Sequence, residues 1–213
     1  MAPSSSSPLI DDKRALRREM GEKRAALAEA ERRARSAAAT ARLLALPELA
    51  APRGLAIAGY VAAKGELDPA PALAELAASG GTVALPRVSA EAPRLRFHRA
   101  DAGALAPGAY GLLEPAASAP EVPAGALDVV IAPGLAFDAE GRRLGFGGGY
   151  YDGAFGAAAA SGPGAKRPLL IGLGYDFQVV ARCPASAADV PVDVVVTDAR
   201  VLRAPRSPAG ARR

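Results

Sequence analysis

"LDVVIAPGLAFDAEGRRLGFGGGYYDG", residues 127 to 153, sets the reading of the whole chain. It opens on "LDVVIAP", an apolar run too short for a helix and rich in β-branched residues, which reads as a strand buried on both faces. It closes on "RLGFGGGYYDG", 143 to 153, where four glycines and two tyrosines stand between an arginine and an aspartate and a fifth glycine follows. Glycine gives up conformational entropy on folding, so a run of it marks a place where backbone takes special angles or comes very close to something. "YYDGAFGAAAA" then reads as a helix. A buried strand, a glycine loop and a helix are the repeating parts of an α/β fold.

The same alternation extends outward. A helix starts at Asp11 or Asp12 and runs to about Leu46, with a possible break at Gly21; Pro47 and Pro52 end it. "GLAIAGYV" (54–61), "TVALP" (82–86), "PLLIGLGY" (168–175) and "VDVVVTD" (192–198) read as buried strands. "DPAPALAELAAS" (68–79) reads as a helix with proline near its start and "GG" after its end. "RLRFHRA" (94–100) alternates and reads as a more exposed strand, and 101–126 as a long surface connection. The expected fold is α/β: three layers, a mostly parallel central sheet with helices on both faces, Rossmann-like. Its single domain spans 11–202, between a Ser/Pro-rich disordered extension (1–10) and a flexible Arg/Pro-rich tail (203–213). In such sheets ligands bind beyond the carboxyl ends of the strands, where the glycine loop lies.

Composition narrows the function. The 213 residues are half hydrophobic, enough for a real core. The net charge of +4 sits at the ends: 1–35 carries +3, 200–213 carries +5, and the remainder is left with −4. Basic ends suit nucleic acid or acidic membranes, but a solvated helix and a frayed tail explain them as well. Cys183 is the one cysteine, so no intrachain disulfide forms, which fits a reducing cytosol. No signal peptide, transit peptide or apolar run of membrane-spanning length is visible. The reading is a cytoplasmic protein. With one histidine, His98, and one cysteine, a zinc site or a Cys–His or Ser–His nucleophile has poor support.

The glycine loop does not match the common phosphate loops. No Gly-Lys-Ser/Thr follows, which excludes a Walker loop, and Tyr150 stands where a dinucleotide fingerprint needs its third glycine. Its physical logic still fits an anion. Gly145, Gly147, Gly148 and Gly149 expose backbone N–H groups, and the following helix adds its own unpaired ones. Cations must help: Arg143 is adjacent, and Asp152 can hold a Mg²⁺ bridging phosphate oxygens.

"RLGFGGGYYD" resembles the signature of the 5-formyltetrahydrofolate cyclo-ligase family, also called methenyltetrahydrofolate synthetases. "KRALR" (13–17), "YVAAKGELD" (60–68), "GGTVALPRV" (80–88), "YGLLEP" (110–115), "LGYDFQ" (173–178) and "ADVPVDVVVTD" (188–198) resemble further family segments in the expected order. The resemblance implies a Mg²⁺- and ATP-dependent cyclisation of 5-formyltetrahydrofolate to 5,10-methenyltetrahydrofolate, ADP and phosphate. It also implies roles. Lys13 and Arg17, four apart on one helix face, would reach the phosphates. Arg143, Leu144, Gly145, Phe146, Gly147, Gly148, Gly149, Tyr150 and Tyr151 would wrap ATP, with Arg143 and Tyr151 catalytic. Asp152 and Asp189 would ligate Mg²⁺, and Val61, Glu66 and Phe146 to Tyr150 would bind the folate. The chain departs from the family pattern at Ala188, where histidine is frequent, and at Gly153, where a basic residue commonly stands. The partner implied is a small-molecule substrate of a monomer, with no nucleic acid and no membrane. The rival reading is a non-catalytic nucleotide- or RNA-binding relative that uses the basic ends.

Overall fold

A computed structural model describes residues 8–88, 95–100, 105–108, 111–156 and 167–205. Two helices, α1 (Pro8–Ala25) and α2 (Glu29–Leu44), precede β1 (Ala56–Ala58), α3 (Ala70–Ala78) and β2 (Thr82–Val88). Short strands follow: β3 (Leu95–Arg99), β4 (Leu105–Pro107), β5 (Leu113–Pro115) and β6 (Glu121–Val122). Then come β7 (Val129–Pro133), β8 (Ala136–Phe137), β9 (Arg143–Leu144), α4 (Tyr150–Phe155), β10 (Leu169–Leu173), β11 (Val194–Val196) and β12 (Val201–Arg203).

Among the described residues eight strands form one sheet, in the order β12-β11-β10-β7-β1-β2-β3-β6. The five from β11 to β2 are parallel, while β12, β3 and β6 close the edges antiparallel. Taken in chain order, the parallel strands lie second, first, third, fourth, fifth across the sheet. This is a doubly wound arrangement, and the direction of winding reverses between β1 and β7. There the connections leave to opposite sides and open a crevice at the strand ends.

The apolar runs build this sheet because both faces are covered. Along β7, Val129 and Ile131 join one core with Leu43 of α2 and Leu73 and Leu76 of α3. Val130, between them, points into a second core with Phe137 and with Phe155 of α4. Successive side chains of a strand alternate faces, so an unbroken apolar run feeds two cores at once. A smaller cluster seats α1: Met20 packs with Leu135, Ala136, Leu144 and Cys183. The β8–β9 hairpin thereby anchors α1 beside the glycine loop.

Phe137 is fully buried, and Cβ atoms built on Gly134, Gly172 and Gly174 would come within 2.5, 2.5 and 2.8 Å of its ring. The glycines make the slot that the ring fills. Phe137→Ala is expected to lower unfolding stability by about 3–5 kcal/mol, the range for emptying such a site. Urea unfolding followed by circular dichroism measures it; a loss under about 1 kcal/mol would show that the slot collapses around alanine.

The structure departs from the expected elements in five places. The first helical region breaks at 26–28 and not at Gly21, which stays inside α1 with nothing within 4 Å of its Cβ position. The break is closed locally: the Leu27 carbonyl accepts from Arg32 Nη1, five positions on in the chain, at 2.6 Å. Second, α1 begins at Pro8, inside the extension expected to be disordered. Third, Arg203 is not loose: it pairs with Val194 in β12 and forms ion pairs with Glu48 at 2.7 and 3.1 Å. Fourth, β3 is less exposed than its alternation suggests: β6 pairs along it, Phe97 packs into the core against Phe155 of α4, and His98 is buried as well. Fifth, the stretch 101–126, expected as a surface connection, holds β4, β5 and β6 among its described residues. The last part of the helix expected over 150–160 lies outside the described residues, as do residues 1–7 and 206–213.

Candidate active site

One cavity, of about 580 Å³, opens at the carboxyl ends of β1, β2 and β7. Tyr60 and Val61 follow β1, Pro86 and Val88 end β2, and Pro133 ends β7; all five line it. It therefore sits at the switch point that the topology creates.

Every site residue expected from the sequence lines this cavity: Lys13, Arg17, Val61, Glu66, all of 143–152, and Asp189. Lys13 and Arg17 reach it from one face of α1. Arg17 Nε donates to Gly145 O at 2.9 Å, which ties α1 to the loop. Lys13 Nζ donates to Asp189 Oδ2 at 2.6 Å. Burial pushes Asp189 up, but the Lys13 ammonium and the Ser186 backbone and hydroxyl bonds outweigh it and hold this carboxyl below its ordinary range.

The loop takes the shape its glycines permit. Gly147 has φ 104° and Gly149 φ 64°, in the left-handed region that side chains rarely enter. A Cβ at Gly148 would also strike the Tyr150 ring at 2.5 Å. The bare backbone of 147–149 is exposed at the cavity. α4 has only six residues, so its dipole is weak, and charge compensation falls to the three cations.

Arg143 is almost fully buried, with its side chain 7% exposed. Its Nη1 donates to Pro133 O at 3.2 Å, its Nη2 to Asp152 Oδ1 at 3.4 Å, and its guanidinium lies 5.1 Å from the Tyr151 ring centre. Burial drives the Tyr151 hydroxyl well above its ordinary pKa, against the pull of Arg143. That hydroxyl stays protonated at neutral pH and can donate, not act as a base. The Tyr151 ring also packs on Phe155, with centroids 6.4 Å apart, so the residue is both cavity wall and helix packing.

The two aspartates, 37 positions apart, meet through the backbone: Val190 N donates to Asp152 Oδ1 at 3.0 Å. Asp152 Oδ2 and Asp189 Oδ1 have no protein partner among the described residues. No group of three or more His, Cys, Asp or Glu able to hold a metal is present among them. Two hard carboxylate oxygens fit a Mg²⁺ that completes its shell with phosphate oxygens and water, which is how this ion is usually held. Glu66 lies at the other group of side chains. Its Oε2 accepts from Ala63 N at 3.0 Å, its side chain is 7% exposed, and burial raises its pKa against the pull of that bond and of Arg24.

Sequence reasoning missed Tyr60, Lys64 and Glu114, which also line the cavity, and Arg24 beside it. A signal for Arg24 was present. Lys13, Arg17, Met20 and Arg24 recur at spacings of four, three and four, one face of one helix, so a buried cation is placed in line with the two that reach the loop. Neither His98 nor Cys183 lines this cavity. His98 is buried with Nδ1 2.7 Å from Ala119 O. Cys183 is buried, and burial pushes its thiol up to about 12. Most basic residues of the first helices are in ion pairs, among them Lys23–Glu19, Arg33–Glu29 and Arg35–Asp198. No described helix is long and apolar enough to cross a membrane.

Comparison with known proteins agrees with this geometry. The chain is 31% identical over 150 residues to the 5-formyltetrahydrofolate cyclo-ligase of Escherichia coli K12, covering 68% of this chain and 79% of that protein. It is 38% identical over 110 residues to the yeast enzyme of the same name, covering 49% and 51%. The solved 5,10-methenyltetrahydrofolate synthetase of Aquifex aeolicus superposes with a TM-score of 0.76 at 34% identity, over 94% of this chain and 96% of that one. A model of the 5-formyltetrahydrofolate cyclo-ligase family matches residues 9–198, and the chain belongs to that family.

Proposed function

We propose that the protein closes 5-formyltetrahydrofolate to 5,10-methenyltetrahydrofolate, consuming Mg-ATP and releasing ADP and phosphate. The observation that carries this reading is the meeting of two unlike groups of side chains in one cavity at the switch point: a carboxylate turn at Glu66 with Tyr60 and Val61, and a bare-backbone loop with Lys13, Arg17, Arg143 and two aspartates. The first suits a flat, N–H-bearing ring, because a carboxylate accepts two N–H bonds at once. The second suits a polyphosphate.

The chemistry needs both at once. A formamide oxygen is a poor leaving group. Transfer of the γ-phosphoryl group to it yields ADP and an imidate-like phosphate; N10 then attacks the formyl carbon, loses its proton, and phosphate departs. Little covalent work falls to the protein, whose contribution is positioning and charge neutralisation. The N–H groups of 147–149 face the phosphates, Lys13 and Arg17 neutralise them from α1, and Arg143 opposes the charge on the transferring group. The Tyr151 hydroxyl, held protonated, donates a hydrogen bond there. Asp152 and Asp189 would hold the Mg²⁺, which supplies a positive charge shared among phosphate oxygens. The substrate is a small molecule, and we propose that the protein works as a cytoplasmic monomer without nucleic acid.

The test is the absorbance of the methenyl product from 5-formyltetrahydrofolate with and without Mg-ATP. Formation is expected only with Mg-ATP. Product formed equally well without nucleotide, or no product under any condition, contradicts the reading.

A further inference from the structure

We propose that Arg24, which stands outside the cavity wall, is a positioning residue for the folate: its guanidinium fixes the Ala63–Glu66 turn and the Phe146 side chain in the arrangement that receives the ring. The inference rests on the reading of Glu66 as the folate's carboxylate.

The turn is tight and strained. Glu66 N donates to Ala63 O at 2.9 Å, and Ala63 N returns a bond to Glu66 Oε2 at 3.0 Å. Between them, Lys64 has φ 51° and Gly65 φ 72°. Among the described residues Lys64 is the one non-glycine with positive φ. A side chain persists in that region only where the surroundings over-determine it. Arg24 supplies the restraint. Its Nη2 donates to Ala63 O at 3.1 Å and to Lys64 O at 2.8 Å, and lies 3.8 Å from Glu66 Oε1. The α1 backbone abuts the same turn: a Cβ on Gly65 would lie 3.6 Å from Arg24 O.

Phe146 is fixed by the same cation. It is 49% exposed, and glycine stands on either side of it, so the loop backbone does little to hold the ring. The ring centre lies 5.6 Å from the Arg24 guanidinium and 5.1 Å from Lys64 Nζ, close enough for both cations to attract its face. Arg24 is itself 1% exposed, and its Nε and Nη1 are buried without hydrogen-bond partners. A buried cation so incompletely satisfied costs stability and is hard to explain as mere packing.

Glu66 must be ionised to accept two N–H bonds. Facing it are Arg24 from α1, Lys64 on its own turn, Tyr60 after β1, Tyr151 on α4, and Tyr175 after β10, whose hydroxyl donates to Glu66 O at 3.4 Å. The two cations favour the carboxylate, and burial opposes it. Removing Arg24 therefore both loosens the turn and moves the Glu66 titration to higher pH.

The experiment is steady-state kinetics of Arg24→Met, Arg24→Lys and Glu66→Gln across pH, each substrate varied in turn. Arg24→Met is expected to raise KM for 5-formyltetrahydrofolate by about tenfold or more and to leave KM for Mg-ATP within about twofold, since the bonds lost are those of the turn. The acid limb of its kcat/KM for the folate moves to higher pH. Arg24→Lys keeps the charge and so keeps that limb, while its KM rises less than that of Arg24→Met, because both carbonyl bonds come from the single Nη2 and an ammonium can donate to both, though the shorter side chain reaches them less well. Equal rises in both KM values, an unmoved acid limb in Arg24→Met, or activity lost only in proportion to unfolded protein by circular dichroism would overturn the proposal. If Arg24→Met does not fold, Arg24→Lys decides the matter by whether the folate KM alone rises. A raised folate KM in Glu66→Gln with none in the Arg24 variants sinks this inference alone; an unchanged one in Glu66→Gln sinks the reading of the site.

Discussion

Arg143→Met is expected to lower kcat by roughly 10³-fold, the lower end of what an arginine opposing a transferring phosphoryl group contributes. The side chain is already fixed before substrate arrives. Pro133 O at the end of β7 holds Nη1, Asp152 holds Nη2, and the Tyr151 ring lies 5.1 Å away. A cation held this way loses no freedom when negative charge develops beside it, so its effect is concentrated in the transition state. The loss is therefore expected in kcat, with KM for the folate little changed. Arg143→Lys is expected to recover only a small part, because one ammonium cannot reach Pro133 O and Asp152 in the geometry of the fork. Steady-state kinetics beside a thermal melt separates this from a folding defect. A kcat within tenfold of wild type in a folded variant would remove Arg143 from the chemistry.

The second large effect is expected at Asp152. Asp152→Ala removes a carboxylate that orients Arg143 and accepts from Val190 N, one residue from Asp189. It also takes away one of the two oxygens that fit Mg²⁺. Activity is expected to fall by about 10³-fold, as when charge stabilisation at a phosphoryl centre is lost. The dependence on Mg²⁺ should change as well: the variant is expected to need a higher concentration for half-maximal rate. Asp152→Asn keeps an acceptor for Val190 N but not the charge, so it separates structure from chemistry. If Asp152→Asn retains both the rate and the Mg²⁺ dependence, the carboxylate serves only to hold 189–190.

The strands that form the parallel sheet were legible because burial on both faces leaves continuous apolar runs, as at β1, β7, β10 and β11. Which strand neighbours which was not legible: nothing local in "VVIAP" says that β1 lies on one side and β10 on the other. The glycine loop announced itself by composition alone, since glycine adopts the positive-φ backbone at 147 and 149 far more readily than any other residue. Glu66 and Asp189 were visible only through family resemblance; in isolation each is an acid in a loop. Arg24 was hidden by its company. A run such as "RREMGEKRAA" reads as a solvated face; the spacing that aligns Arg24 with Lys13, Arg17 and Met20 was there, but it does not tell that the guanidinium binds carbonyls 39 and 40 positions away. The seating of Arg203 on Glu48 shares that cause, a contact across the fold that overrides a weak local signal, whereas the break at 26–28 is closed locally by Arg32 on the Leu27 carbonyl.

The central claim is that the backbone of 147–149 holds the terminal phosphates of a nucleotide while Glu66 holds the folate ring in the same cavity. A crystal structure with a non-hydrolysable ATP analogue, Mg²⁺ and 5-formyltetrahydrofolate tests it directly. The account predicts the γ-phosphate on the N–H groups of 147–149 within reach of Arg143, with the formyl oxygen beside it and the pterin on the Glu66 carboxylate. A triphosphate bound elsewhere, with the loop packed against protein side chains instead, would contradict it.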